Sequence, residues 1–378
     1  MLRGRIRAFE RSLERVPHLT CYAVKANDAL AVLEVVADEG LGADVVSGGE
    51  LDKCLRAGIS PRRIVFSGVG KREDEIHAAV EVSIRSLNVE SLDELEDVAT
   101  AARALRRVAP VSVRLNPGVV GGAHEYLATG GAASKFGLER ADAAEAVRRA
   151  AADDALTPVG LSFHVGSQLL DPAPVVLAAR HAAGLWRALT DQGIPLHDFD
   201  AGGGMGIAYD NGGGEPDLGA YTAALGEIAG SLGATLVLEP GRHLAGPAGT
   251  LVTRVLRVKH AGGKTLVVCD AGMSDLVRPA LYQAEHPIEV LGAGDRDRAR
   301  VDLVGPLCES SDFLTLGREV PLPQRGDLIA VELAGAYGRV MSSTYNARPL
   351  CAEVVLERGT WRVSRERGTY DDLVRNER

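Results

Sequence analysis

The chain has 378 residues, 46% of them apolar and 25% charged, with a formal net charge of −9. That balance belongs to a globular protein too long for one ordinary core, so two domains are expected. The acidic excess argues against a nucleic-acid or anionic-membrane surface, and no apolar run approaches the ~20 residues of a membrane span.

The first residues, Met1-Leu2-Arg3-Gly4-Arg5, lack the apolar core of a secretory signal. The five cysteines, at 21, 54, 269, 308 and 351, are scattered, without CxxC or Cys/His ligand spacing. Neither a disulfide framework nor a metal site is expected from them. A cytoplasmic protein is the expectation.

Residues 6–13 read as a helix. Short β-branched runs then alternate with Ala/Arg/Glu/Leu-rich stretches. Strands are predicted over 20–24, 43–47, 63–67, 83–87, 111–115, 160–164, 198–201 and 235–239, with helices such as 141–152 and 174–189 between them. Eight βα repeats fit a (β/α)8 TIM-type barrel better than an open doubly wound sheet. This first domain is placed at 1–247, and its chemistry should gather at the C-terminal ends of the strands. The glycine-rich stretch 118–137 is long for a connection and reads as a functional loop after the fifth strand. From 248 to 378 the texture changes, with short strands predicted over 250–259, 264–270, 288–291, 302–304, 327–332 and 353–357. Gly, Pro and charged turns separate them, so an all-β domain is expected.

Several predicted strand ends carry residues with chemistry. The run Tyr22-Ala23-Val24-Lys25-Ala26-Asn27 delivers a lysine where a barrel strand would meet an active site. Such a lysine can be desolvated into a Schiff-base nucleophile, or it can be a solvated strand end. His164 ends the sixth strand in His164-Val165-Gly166-Ser167-Gln168. Taken alone it reads as a satisfied core or turn histidine rather than as a cofactor contact. Gly202-Gly203-Gly204 follows the seventh strand, and glycines there allow backbone N–H groups to approach an anion closely. Glu239-Pro240-Gly241-Arg242 closes the eighth, where Glu239 either pairs with Arg242 or keeps a heteroaromatic nitrogen protonated. A Schiff-base lysine, a phosphate cradle and a partner for the ring nitrogen are what pyridoxal phosphate asks of a protein. A carboxylate beside that nitrogen suits decarboxylation. In the second domain Arg278 and Tyr282 lie four residues apart, on one face if helical. The turn Gly305-Pro306-Leu307-Cys308-Glu309-Ser310-Ser311-Asp312 has no packing rationale of its own and reads as an exposed acidic loop.

In this order YAVKAN, GADVVSGGEL, HVGSQ, GGGMG, EPGR, MSDLVRPALY, GPLCESSD and AGAYG, running from Tyr22 to Gly338, resemble diaminopimelate decarboxylase. This is the bacterial member of the alanine-racemase-like, fold type III pyridoxal-phosphate decarboxylases. The resemblance implies a TIM-type barrel followed by a β-sandwich or β-barrel-like domain. It implies pyridoxal 5'-phosphate as cofactor, an amino-acid substrate, and a head-to-tail homodimer with each active site at the interface. By motif match Lys25 is the Schiff-base lysine, and His164 lies against the cofactor ring. Gly203, Gly204 and Gly241 hold the phosphate, with Ser167 and Arg242 beside them, and Glu239 faces the pyridine nitrogen. Arg242, Arg278 and Tyr282 would contact substrate, and Tyr337 would lie near substrate and cofactor. Glu309 would bind the distal ammonium with Cys308 beside it, both reaching in from the partner subunit, and Lys25 or Cys308 would return the proton. The implied reaction is decarboxylation of meso-2,6-diaminopimelate to L-lysine.

One departure stands out. The family usually carries a longer leader, including a strand that joins the β domain, whereas only Met1–Leu19 precede the YAVKAN strand here. A late-assigned start or a lost edge strand would each account for this, and in the former case the chain as given would leave a sheet edge open. The alternatives in function are a related decarboxylase of ornithine, arginine or a carrier-bound amino acid, and a pyridoxal-phosphate-binding protein without turnover.

Overall fold

The computed structural model describes residues 1–119, 134–209 and 214–377. The chain divides into two compact units. One comprises Met1–Ile207 and Gly214–Leu244; the other runs from Ala245 and also takes in Ala208 and Tyr209.

In the first unit eight parallel strands close into a barrel in sequential order. They are β1 (His18–Ala23), β2 (Gly42–Val45), β3 (Ile64–Phe66), β4 (Ser86–Val89), β5 (Ala109–Arg114), β6 (Leu156–Ser162), β7 (Asp198–Asp200) and β8 (Thr235–Leu238). Closure is by β8 on β1, with Leu236 opposite His18. Helix α1 (Leu2–Ser12) precedes the barrel, and α2 (Leu30–Asp38), α3 (Gly48–Arg56), α4 (Glu73–Val82), α5 (Leu92–Leu105), α6 (Arg140–Ala152), α7 (Ala173–Thr190) and α8 (Leu218–Ser231) follow successive strands. The TIM-type barrel expected from the βα alternation is therefore present. Its helices bury one stripe each: in α7, Val175, Ala178, Ala179, Ala182, Ala183 and Trp186 recur at helical spacing. Trp186 meets Phe199 of β7 edge-on, with ring centroids 5.8 Å apart. Helix α1 lies against α8, where Thr222 donates to the Ser12 carbonyl.

Most strand boundaries shift by one to four residues from expectation, and two of the shifts have clear local reasons. The strand predicted over 83–87 starts at Ser86, because Ser83 is left-handed (φ 58°) and Ile84 N–H closes the end of α4 on the Ala79 carbonyl. The first strand stops at Ala23, and Val24–Ala26 form a single 3-10 turn. Most of the 118–137 stretch falls outside the described residues.

After the short helix α9 (Arg242–Ala245), the second unit is a six-stranded, mostly antiparallel sheet in the order β11-β14-β9-β10-β12-β13. Its strands are β9 (Leu251–Ala261), β10 (Lys264–Cys269), β11 (Ile288–Val290), β12 (Arg298–Val304), β13 (Phe313–Pro321) and β14 (Leu328–Val331). The long β9 pairs with β14 through its first half and with β10 through its second. One face carries a core of Val255, Val267, Leu303, Leu314, Ile329 and Val331 among others. Helix α10 (Arg278–Tyr282) lies between β10 and β11, and a separate hairpin of β15 (Glu353–Glu357) and β16 (Thr360–Arg365) precedes α11 (Tyr370–Val374). Two of these strands, β13 and β16, were not expected. Gly317 and Pro321 make β13 read as a turn, and β16 is largely exposed, so it lacks an apolar face to announce it. Among the described residues no helix is long and apolar enough to cross a membrane.

Candidate active site

The C-terminal ends of the barrel strands surround a cavity of about 320 Å³ whose walls include Lys25, Ser67, Arg114, Ser162, His164 and Glu239. That volume lies at the lower end for a small-molecule site. Lys25 reaches it from the 3-10 turn rather than from the strand itself. Its Nζ lies 2.5 Å from Oδ2 of Asp44, which is fully buried on β2 and stands opposite Ala23 in the parallel register. A carboxylate with no access to water holds the amine in one place and balances its charge. Oδ1 of Asp44 and Oγ of the cavity-wall residue Ser162 are both buried without a partner among the described residues. Such atoms mark a place built for a polar guest.

His164 follows the end of β6. The Gly203 backbone N–H donates to its Nδ1 at 3.2 Å. Burial, and then the charges of Lys25 and Arg114, hold the imidazole well below its usual range. The ring is therefore neutral, and with Nδ1 accepting, its proton sits on Nε2. Arg114, at the end of β5, is paired with Glu90 at 2.7 Å and stacks on Phe136, 4.8 Å from the ring centre.

Glu239, just past β8, and Asp200, at the end of β7, are two buried acids side by side. Burial raises both; Asp200 and Asp44 push Glu239 well above the ordinary carboxylate range, and Asp200 itself is pushed up to about 7. Two neighbouring carboxyls in a buried site disfavour double ionisation, so the pair retains a proton more readily than free acids do. A polar chain supports them: Asn88 donates to Asp200 at 3.2 Å and to Ser67 at 3.1 Å, and Ser67 faces Glu239 at 3.5 Å.

The glycine run has two physical reasons. A Cβ on Gly203 would stand 2.1 Å from the Glu239 carbonyl oxygen, and one on Gly204 (φ +105°) would stand 2.5 Å from that of Gly166. The close approach of the segment after β7 to those after β8 and β6 thus already demands glycine. Gly202 and Gly203 spend their N–H groups on Asp200 and His164. The N–H groups of Gly204 and Gly241 have no acceptor among the described residues. They remain available to an anion. Arg242 donates to Ser167 Oγ at 3.0 Å, tying the β6 and β8 loops together.

In the second unit Asp312 organises two loops. Its carboxylate accepts N–H groups from Met273 (2.6 Å) and Leu307 (2.7 Å), fastening the segment before α10 to the turn that bears Cys308 and Glu309. Gly272 and Gly305 leave no room for any side chain against that carboxylate. Cys308 and Glu309 are exposed, as expected for the acidic turn; the Cys308 N–H donates to Asn346 at 2.9 Å. Arg278 is buried at the start of α10, while Tyr282 at its end and Tyr337, in a left-handed conformation (φ 58°), are half-buried. Within the barrel unit, then, Lys25, His164, Gly203, Gly204, Ser167, Glu239, Gly241 and Arg242 converge. Sequence reasoning missed Asp44, Asp200, Arg114, Asn88 and Asp312. For Asp44 and Asp200 the signal was an acid inside an apolar parallel strand, where an unpaired charge is costly.

The donors present fit pyridoxal phosphate: an amine, free N–H groups for a phosphate, and a buried acid for the ring nitrogen. Comparison with known proteins bears on the same group. A family model described as pyridoxal-dependent decarboxylase, pyridoxal binding domain, matches residues 1–246. The chain is 44% identical to the diaminopimelate decarboxylase of Neisseria meningitidis serogroup B over 95% of its own length and 86% of that protein. It is 43% identical to the diaminopimelate decarboxylase of Pseudomonas aeruginosa over 100% of its own length and 90% of that protein. The crystal structure of diaminopimelate decarboxylase from Helicobacter pylori complexed with L-lysine superposes with a TM-score of 0.96 at 40% identity, covering 100% of this chain and 94% of that one. With a barrel whose strand ends meet the needs of that cofactor, this chain belongs to the pyridoxal-dependent decarboxylases, in the diaminopimelate decarboxylase family.

Proposed function

We propose that the protein decarboxylates meso-2,6-diaminopimelate to L-lysine and carbon dioxide with pyridoxal 5'-phosphate. The observation that carries this reading is the meeting of Lys25 and Glu239 in one cavity, in a chain of this family. Relatives named for diaminopimelate, one of them solved with L-lysine, support the substrate class.

The cofactor, when bound, supplies a conjugated electron sink for the pair left by the departing carboxylate. Lys25 would be its Schiff-base partner and Glu239 the neighbour of its ring nitrogen. His164 would lie against the ring. Gly204 and Gly241, with Ser167 and Arg242, would hold the phosphate, while Gly203, whose N–H goes to His164 rather than to an anion, would shape the loop that brings them close. Asp44 keeps the Lys25 amine placed at 2.5 Å. The neutral His164 adds bulk without adding a cation that would compete for electrons. Lys25 Nζ and Cys308 Sγ are the candidates to return a proton to the substrate carbon.

In this reading residues 1–247 form the cofactor domain and 248–378 supply substrate contacts. Arg278, Arg242, Tyr282 and Tyr337 would bind substrate, with Glu309 at the distal ammonium. The exposed Cys308–Glu309 turn would serve the site of a partner subunit in a homodimer. Five unpaired thiols support a reducing, cytoplasmic setting.

The decisive assay is carbon dioxide release from meso-diaminopimelate beside lysine, ornithine and arginine. Release from diaminopimelate alone is expected, and release from ornithine but not diaminopimelate would overturn the substrate. Lys25→Ala should abolish turnover and the protein-bound visible absorbance together; a variant that kept both would overturn the assignment of Lys25.

A further inference from the structure

His286 lies outside every motif considered above, yet it is fully buried and both ring nitrogens are engaged. Nδ1 stands 2.9 Å from the Glu332 backbone carbonyl, which can only accept, so Nδ1 carries the proton. Nε2 stands 2.9 Å from Nη1 of Arg278, which can only donate, so Nε2 accepts. Only the neutral, Nδ1-protonated ring satisfies both contacts. Tyr209 completes the enclosure. Its ring meets the imidazole edge-on at 5.1 Å, and the Arg278 guanidinium stacks on it at 4.5 Å. Arg318 donates to the His286 carbonyl at 3.1 Å, fixing the backbone that carries the ring.

We propose that His286 is a positioning residue that sets the Arg278 guanidinium for the substrate's distal amino-acid group. The proposal rests on the reading of Arg278 as a substrate contact. Helix α10 has only five residues and cannot by itself fix the long side chain at its first position. Arginine loses many rotamers when it binds, and a neutral acceptor on one edge with an aromatic face beneath removes them beforehand. A carboxylate at position 286 would hold the arginine too, but would neutralise the charge it must offer to a substrate anion. A neutral imidazole positions the cation without itself neutralising it.

The test uses the cofactor-loaded enzyme. His286→Leu should raise KM for meso-diaminopimelate tenfold or more with a smaller change in kcat. His286→Gln, whose amide can donate to Glu332 and accept from Arg278, should restore most of the affinity. Combined with Arg278→Leu, the His286→Leu change should add nothing further to KM. An unchanged KM in His286→Leu, or additive losses in the double variant, would overturn the proposal. A second readout needs no turnover. Phenylglyoxal should label Arg278, followed by peptide mass spectrometry, several-fold faster in His286→Leu than in wild type. Equal labelling rates overturn the positioning role. Faster labelling in a protein that releases no carbon dioxide from diaminopimelate would uphold it and overturn the substrate reading instead.

Discussion

At the scale of single residues, the Asp200–Glu239 pair sets a dependence on pH. Both acids titrate higher in the folded chain than in an unfolded one, with Asp200 at about 7. The folded state therefore binds more protons than the unfolded state between the ordinary carboxylate range and neutrality. Stability contributed by the pair is present below that range and is lost as pH rises toward 7 and beyond. Denaturation of the cofactor-free protein should show it losing on the order of a few kcal/mol between pH 5 and pH 8 from this source. Asp200→Asn should flatten the profile over that window, and an unaltered slope would remove the retained proton from the account. Asp44 offers a second check. Replacing it with Asn leaves Lys25 without its buried counter-charge, so cofactor retention after dialysis should fall while the barrel stays folded.

At the scale of elements, two loops of the second unit that are proposed to bear substrate contacts are held by one carboxylate, that of Asp312, against two glycines. In Gly305→Ala the new Cβ would stand 2.3 Å from Asp312 Oδ2, breaking its hold on Met273 and Leu307. Overpacking of this kind costs about 1–3 kcal/mol. A lower Tm and a higher KM with unchanged cofactor absorbance are expected, and a variant as stable as wild type would show that the clamp is slack. The same elements show what sequence could and could not reveal. The barrel was legible because eight apolar, β-branched runs alternate with helical stretches, and the ends of the first, sixth, seventh and eighth could then be read for chemistry. Lys25 was found although its strand was drawn to end one residue too late, because the chemistry of a lysine beyond an apolar run survives a small boundary error. Asp312 was invisible as an anchor: an aspartate in a Gly-Pro-led acidic turn looks solvated, and only the fold brings Gly272 and Gly305 onto it. His286 was hidden for the same reason, since its partners at 209 and 332 are remote in the chain.

At the scale of the whole molecule, the proposed sharing of sites between subunits predicts complementation. Lys25→Ala and Glu309→Ala should each be inactive alone. Unfolded together and refolded, they should regain roughly a quarter of wild-type activity, because half of randomly re-paired dimers are mixed and each holds one intact site. No recovery would confine each site to one chain. The distribution of the two tryptophans in the chain adds an optical consequence. Trp186 is sealed in the barrel beside Phe199, whereas Trp361 stands exposed on β16, opposite Leu356 in a hairpin whose outward side also carries Val354 and Val363. Their emission should separate into a blue component deaf to acrylamide and a red one readily quenched. The blue signal reports melting of the barrel, and the red one reports whether the hairpin is wet or covered, so a single spectrum taken across a dilution series can tell the two events apart.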